Sequence, residues 1–295
     1  MSRILVTGGT GFVGSRTICA LNSAGHEARI FDLASASRQP GAPASADIVT
    51  GDITDGQAVM EAARGCNGIV HLAGLMTVDC ARDPVRATSV NLIGSLNVLQ
   101  AAAALGLPVA YLSTAGVFGP SDALHPHPST IYGMSKLAVE GAARSFHLDH
   151  GVASLGLRPY IVYGTGISSG IAAGPSIALA ASVRREPSTI RFSGRVGFVH
   201  VDDVARLLAA AMTVRLEGAT VLTMAGDTAD MSDFVGELAR QTGWHDVAIE
   251  GPPLRIPPEL ASDTIPAIFG PQPVTTISEG IASSLTELRT FSHAS

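Results

Sequence analysis

Charge is scarce in this sequence, and cysteine is scarcer still. Lys, Arg, Asp and Glu make up 15% of the 295 residues, against about 25% in ordinary soluble domains, so much of the surface is uncharged. The 19 basic side chains are outnumbered by 25 acidic ones and gather nowhere beyond the pair Arg184-Arg185. That balance argues against a nucleic-acid partner. Cys19, Cys66 and Cys80 make neither a disulfide framework nor a metal spacing, which suits a reducing cytoplasm and predicts no metal centre. Apolar stretches are interrupted by Gly, Pro, Asn or Gln before the ~18 residues of a membrane span, so no membrane partner is expected. Nor is a secretory leader, because Arg3-Ile-Leu-Val6 already reads as a strand. These exclusions leave a soluble, cytoplasmic chain, long enough for one large domain or two closely joined ones.

Short apolar runs alternate with longer helical patterns over the first 160 residues. Ile4–Thr7, Ala28–Phe31, Ile48–Gly51, Gly68–Leu72, Val109–Ser113 and Ala153–Arg158 read as doubly buried parallel strands. Val13–Ala24, Gly56–Arg64, Pro84–Leu105 and Gly133–His150 read as helices between them. This alternation predicts an α/β fold, a parallel sheet covered by helices on both faces. Further along, Ile177–Arg185, Asp203–Thr213 and Asp230–Thr242 read as helices and Val221–Met224 as a strand. Gly251–Pro273 holds seven prolines and reads as an extended connection to a last helix at Ile277–Arg289.

The strongest local signal is Thr7-Gly-Gly-Thr-Gly-Phe-Val-Gly14, which follows the first strand and opens the first helix. That context separates a dinucleotide fingerprint from an ordinary glycine-rich turn. Gly8 makes the tight turn, Gly11 admits a pyrophosphate, and Gly14 permits close packing. The pyrophosphate is expected on the free N–H groups of Phe12 and Val13. Asp32 ends the second strand 18 residues beyond Gly14, where a carboxylate accepts from both adenosine ribose hydroxyls and repels a 2′-phosphate. NAD is therefore favoured over NADP. Asp52 and Ile53, after the third strand, are placed at the adenine, and Leu72-Ala73-Gly74 lets backbone lie against the cofactor. His71 reads as a packed strand histidine.

Tyr132-Gly-Met-Ser-Lys136 has the spacing that puts Tyr132 and Lys136 on one helix face. A phenol is a poor base near neutrality, but an adjacent ammonium stabilises its phenolate. Tyr132 is then able to take a proton from a substrate alcohol, while Lys136 also reaches the nicotinamide ribose. Ser113 and Thr114 end the preceding strand, at the sheet edge where ligands bind in such folds. Asn91, on the intervening helix, completes the set.

With these residues in place, the chain resembles an extended short-chain dehydrogenase/reductase of the NAD-dependent epimerase/dehydratase family. The resemblance runs from Arg3 to about Ala211 and takes in Leu157-Arg-Pro159 and Phe198-Val-His-Val-Asp-Asp-Val-Ala205. It implies a Rossmann-type doubly wound parallel sheet with a small C-terminal substrate-binding lobe. Residues 1–164 would form the NAD-binding domain and 165–295 mainly the lobe, with 196–213 returning to the first domain. It also implies catalytic roles for Thr114, Tyr132 and Lys136, and substrate contacts at Thr114, Ala115 and Tyr132. Cofactor contacts are implied at Asn91 and around the nicotinamide at Pro159 and Ile161. The helices Ser89–Leu105 and Leu137–Phe146 would pair across a homodimer axis.

Departures from the family pattern narrow the chemistry. Ala115-Gly116 follows Thr114 where sugar dehydratases carry an Asp-Glu pair, which argues against dehydration. Ile161 stands where nucleotide-sugar epimerases carry a diphosphate-binding Asn. Arg195 falls one place before the family's second phosphate contact, in a shortened loop, and whether it compensates is left open. His125-Pro-His127 reads as a solvated loop, Arg184-Arg185 as an exposed helix end, and Asp202-Asp203 as a helix cap. The expectation is an NAD-dependent oxidoreductase acting at a secondary alcohol or ketone of a small polar substrate, such as a sugar, sugar acid or hydroxy acid. A nucleotide-sugar epimerase using bound NAD and a non-catalytic NAD sensor are the alternatives.

Overall fold

Ile4 and Val6 of the first strand, β1 (Arg3–Thr7), enter one hydrophobic cluster while Leu5 between them enters another. This period-two alternation divides the protein into a sheet with two buried faces. The structure, a computed structural model, describes residues 1–34, 47–167 and 169–292. From β1 the chain runs through α1 (Phe12–Ser23), β2 (Glu27–Asp32), β3 (Asp47–Thr50), α2 (Gly56–Ala63) and β4 (Gly68–His71). Two short helices follow, α3 (Thr77–Arg82) and α4 (Pro84–Thr88), then a π-helical turn at Ser89–Ile93. Beyond it lie α5 (Gly94–Leu105), β5 (Val109–Leu112), α6 (Ile131–His150), β6 (Ser154–Pro159) and β7 (Ile161–Tyr163). The remainder comprises α7 (Gly174–Arg184), β8 (Ser188–Ile190), β9 (Arg195–His200), α8 (Val201–Ala211), β10 (Ala219–Met224), β11 (Asp227–Asp230), α9 (Met231–Thr242), β12 (Val247–Ile249) and α10 (Ile277–Ser292).

Seven strands form one sheet in the order β10-β6-β5-β4-β1-β2-β3, every pair parallel. The α1 and α8 side is packed by Ile18, Leu21, Val204 and Leu208, the opposite side by Val59, Val98, Leu99, Val139 and Ala143. This is the expected doubly wound sheet. The expected single helix over Pro84–Leu105 is instead α4, the π turn and α5 in succession, with Asn91 inside the turn. By length and composition alone that run is also apolar enough to cross a membrane, contrary to the sequence reading. Ala87, Val98, Leu99, Ala101 and Ala102 of this run are buried in the protein, while Val85 and Ile93 are exposed.

The expected chain division needs correction on two points. Residues 196–200 do not rejoin the large sheet, because β9 pairs with β7 and β11 in a separate three-stranded one. The element that does rejoin it is β10, at its edge, while α8 packs on α1. The proline-rich connection then shields that edge. Asp263 accepts from Thr223 N at 2.7 Å and returns its own N–H to Thr223 O at 2.9 Å, and Ser262 accepts from Ala225 N at 3.0 Å. The Asp202-Asp203 pair is not the helix cap: His200 caps α8 by accepting from Asp202 N, and Asp203 instead binds Thr275 N and Oγ1.

The final helix is keyed to the rest of the molecule along one face. Gly280 lies so close to Tyr163 that a Cβ there would collide with the phenol. One turn on, Ser284 Oγ meets His200 Nε2 at 3.3 Å, and Glu287 accepts from both Arg16 and Thr165. Gly280→Ala is expected to lower stability by about 1–3 kcal/mol, the usual range for overpacking a tight contact, as read from urea unfolding at pH 7.

Candidate active site

Gly8 adopts φ +68° and leaves no room for a side chain, since a Cβ would stand 2.7 Å from Ala73 N. At Gly11 the situation is reversed: a Cβ would meet only Gly8 O, at 3.3 Å. The space in front of Gly11 is thus kept open, beside a helix whose first N–H groups have no side-chain cap. Uncapped donors facing an open cradle suit an anion, and the helix dipole adds to the attraction. Phe12 and Val13 are the first residues of that helix. Asp32 stands at the end of β2 beside this cradle, with Oδ2 accepting from Thr10 N (3.0 Å) and Thr10 Oγ1 (2.5 Å) and Oδ1 from Leu33 N. The carboxylate therefore also braces the glycine turn, a role its spacing alone did not show.

The neighbouring positions divide between site and scaffold. Asp52 is exposed and uses one oxygen on Thr54 N and Oγ1. The Ile53 side chain lies under Gly94 and its carbonyl accepts from Asn97. His71 is the packed strand histidine expected. Ser95 Oγ donates to Asn91 O, so it accepts from His71 Nε2–H at 2.9 Å, and His71 Nδ1 accepts from Thr7 Oγ1 at 2.7 Å. Burial, helped by the Lys136 charge, lowers its pKa to about 3 and keeps the ring neutral. Thr7 Oγ1 in turn accepts from Leu72 and Ala73 N, holding the backbone that leads to Gly74. Asn91 is buried and gives its amide to both the N–H and the carbonyl of Leu75, at 2.7 and 2.9 Å. It shapes the loop beyond Gly74, and its Oδ1 stands 3.0 Å from where a Cβ of Gly74 would be.

Tyr132 reaches the carboxyl edge of β5 because the start of α6 lies directly on the turn after Thr114. Thr130 caps α6 by accepting from Gly133 N at 3.0 Å, and any side chain at Gly133 would collide with Gly116 O. Thr114 caps the Ala115–Val117 turn through Gly116 N. Among the described residues the Tyr132 hydroxyl has no hydrogen-bond partner, whereas the Lys136 ammonium is buried and donates to Leu112 O at 2.8 Å. Nζ lies 5.8 Å from the centroid of the Tyr132 ring. Burial pulls the Lys136 pKa down to about 8 and pushes the Tyr132 phenol up. Burial, not the expected lowering by Lys136, thus governs the phenol in the ligand-free protein. Cys80, also buried, donates to Leu75 O and accepts from Asn91 Nδ2 at 3.4 Å.

Other residues singled out in the sequence have different surroundings. Ser113 faces away, bonded to Glu140, which Arg158 holds in a bidentate pair. Ile161 is buried in the core of the three-stranded sheet, and Tyr160 beside it donates to Pro257 O. Pro159 is likewise buried at the end of β6. Arg195 is exposed and paired with Glu259 at 2.9 Å, while Val196 is buried on the opposite face. One residue of register thus turns Arg195 outward, and it does not replace a phosphate contact on the inner face. Arg184 pairs with Glu186, and Arg185 lies over Trp244, as a helix end would. Ser113 was placed at the sheet edge as a ligand-side hydroxyl, whereas its bond to Glu140 and the position of Cys80 went unread in the sequence. A plainer signal was also there: Lys136 is the single lysine among 19 basic residues, the other 18 being arginine.

A glycine cradle before an uncapped helix, a carboxylate at the next strand and a phenol beside a buried ammonium together define a dinucleotide-dependent enzyme site. The chain belongs to the NAD dependent epimerase/dehydratase family, whose sequence model matches residues 4–222. It is 31% identical over 170 residues to a UDP-glucose 4-epimerase of Corynebacterium glutamicum, covering 55% of this chain and 52% of that protein. It is 30% identical over 181 residues to a 3-beta-hydroxysteroid dehydrogenase of Mycolicibacterium neoaurum, covering 56% and 49%. The match thus spans about half the length of these curated relatives. The fold is shared over nearly the whole chain with the UDP-glucose 4-epimerase of Thermotoga maritima solved with UDP-glucose, at TM-score 0.86 and 25% identity, covering 98% and 99%. NAD is the family's cofactor, and the open cradle at Gly11 with Asp32 opposite fits it. Among the described residues, no three His, Cys, Asp or Glu side chains gather as a metal site requires.

The Lys136 shift carries a stability consequence. Between pH 8 and 10.5 the unfolded chain holds a proton that folded Lys136 has lost, so stability rises with pH across that window. Below pH 8 the folded protein bears the full penalty, on the order of 3 kcal/mol for a shift of this size. Lys136→Met is therefore expected to unfold with about 2 kcal/mol more stability at pH 7, after allowing about 1 for the lost bond to Leu112. That advantage should fade as pH is raised from 8 to 10.5, in chemical unfolding of the ligand-free protein.

Proposed function

We propose that this protein is an NAD-dependent oxidoreductase acting at a secondary alcohol or ketone of a small polar substrate, such as a sugar, sugar acid or hydroxy acid. The observation that carries the reading is the Tyr132 hydroxyl, without a hydrogen-bond partner among the described residues, beside the only lysine of the chain. Bound NAD supplies the hydride acceptor. The chain supplies the rest. Thr114 holds the substrate oxygen, Tyr132 takes its proton, and Lys136 favours the phenolate as the incoming ligands displace water. The cofactor is held by Gly8, Gly11, Phe12 and Val13 at the pyrophosphate and by Asp32 at the ribose. Asp52, the Leu72–Gly74 backbone and Lys136 complete it. Ala115, beside Thr114, is left as a small substrate-facing residue.

A nucleotide-sugar epimerase is the second reading, favoured by the likeness to UDP-glucose 4-epimerases. Against it stand the buried Ile161 and the outward-turned, ion-paired Arg195. A buried diphosphate without those partners is costly. A silent NAD-binding role gives no use to an unpartnered phenol beside a buried amine. We also place the protein in the cytoplasm as a homodimer without nucleic-acid or membrane partners. The exposed apolar side chains Ile93 before α5 and Met134 and Leu148 on α6 support the dimer.

Tyr132→Phe is expected to reduce turnover at least a thousandfold, measured by NADH formation against a panel of sugar acids and hydroxy acids, while calorimetry shows unchanged NAD binding. Near-normal turnover would sink the mechanism. Thermal unfolding of the NAD-saturated protein should show no shift with UDP, GDP, CDP or dTDP. A nucleotide at 100 times its dissociation constant would add about 2.7 kcal/mol, and such a shift would promote the epimerase. Met134→Glu should convert the dimer to monomer in sedimentation velocity.

A further inference from the structure

The motif Leu157-Arg-Pro159 has no role in the chemistry above, yet Arg158 takes part in a tightly connected buried group. Its Nε donates to Glu140 Oε1 at 2.8 Å and its second terminal nitrogen to Oε2 at 2.5 Å, while the guanidinium lies 5.2 Å from the Phe118 ring centroid. Glu140 Oε1 also accepts from the Ser113 hydroxyl, which is itself buried. Four residues earlier on α6, Lys136 donates to the carbonyl of Leu112. Two successive turns of one helix therefore grip two successive residues of the end of β5. The next residue in the chain is Thr114, and the next turn back along α6 carries Tyr132.

A buried ion pair is a poor source of stability, because an apolar pair of similar volume does as well or better. Its use is to fix geometry. Resting on the reading of Thr114, Tyr132 and Lys136 proposed above, we infer that Glu140 is a positioning residue for the reaction. Through Ser113 it sets Thr114, and through α6 it sets the register of Tyr132 and Lys136 against that strand. Arg158 neutralises the carboxylate and aims it. The bond between Lys136 and Leu112 is the exposed consequence: if Ser113 is released, the strand end moves and the ammonium loses alignment with its acceptor.

Because the chain has one lysine, uniform labelling with side-chain ¹⁵N-lysine yields a single Nζ resonance, readable in the full-length, NAD-free protein without any substrate. The titratable groups around it are Tyr132, Cys80 and His71, all unchanged by the variants used. In Ser113→Ala and Glu140→Gln, the Lys136 signal should move and its titration midpoint fall by roughly half a unit or more, since a well-aligned carbonyl favours the charged form. The double variant Glu140→Met with Arg158→Met should regain the wild-type unfolding temperature yet keep the displaced Lys136 signal. A purely structural ion pair gives another pattern: lowered unfolding temperatures with the Lys136 resonance and midpoint unmoved, or both restored by the apolar pair. Either result overturns the inference. Should Glu140→Gln fail to fold, Ser113→Ala decides alone, as it removes one hydroxyl and no charge. Failure of the chemical reading shows separately, as turnover surviving in Tyr132→Phe.

Discussion

An ammonium buried beside a phenol sets terms for everything within reach of it. A charge removed from water must find donors or acceptors of its own, or lose its proton. Here one carbonyl, Leu112 O, and the face of one aromatic ring meet that demand, and the surrounding titratable groups are kept from adding to the charge. His71 is locked neutral between two hydroxyls, and burial holds the Cys80 thiol protonated. Asn91 spends its amide on backbone and a sulfur. The result is a site poised between two protonation states, with compactness that a guanidinium does not offer. Such a site explains why a chain that uses arginine at every other cationic position keeps a lysine at this one.

The large sheet was legible because its strands are short apolar runs buried on both faces, a pattern that survives without tertiary information. The glycine turn was legible for the same reason, since backbone geometry is written in residue type. What escaped were elements defined by partners distant in sequence. β9 looks like a strand leading into α8, but whether it joins β10 or β7 depends on contacts that no local pattern encodes. Arg195 is instructive: its distance from the motif was read correctly, yet its direction follows from strand pairing, and the pairing turns it to Glu259.

The candidate site divides along the same line. Tyr132, Lys136, Thr114 and the glycines follow from spacing and sheet topology. Glu140, Ser113 and Arg158 belong to three different elements and meet only in the folded protein, so each alone reads as an ordinary helix, strand or motif residue. The surroundings of Ile53 were likewise not legible. Its neighbour Asp52 faces solvent, and a one-residue step along the chain took Ile53 into the core under Gly94.

The last helix rests on the first, and Glu287 and Arg16 are separated by 271 residues. Contacts of that span raise the contact order and are among the slowest to form. During synthesis the cofactor-binding half emerges with Arg16, Thr165 and His200 uncovered, and β10, an edge of the parallel sheet, is still to come. Until β10 follows, the sheet is incomplete, and until α10 follows, the flank along α1 stays open, the condition in which uncovered surfaces associate wrongly. Docking of α10 therefore follows completion of the parallel sheet, and the flank along α1 is the last of these surfaces to be covered.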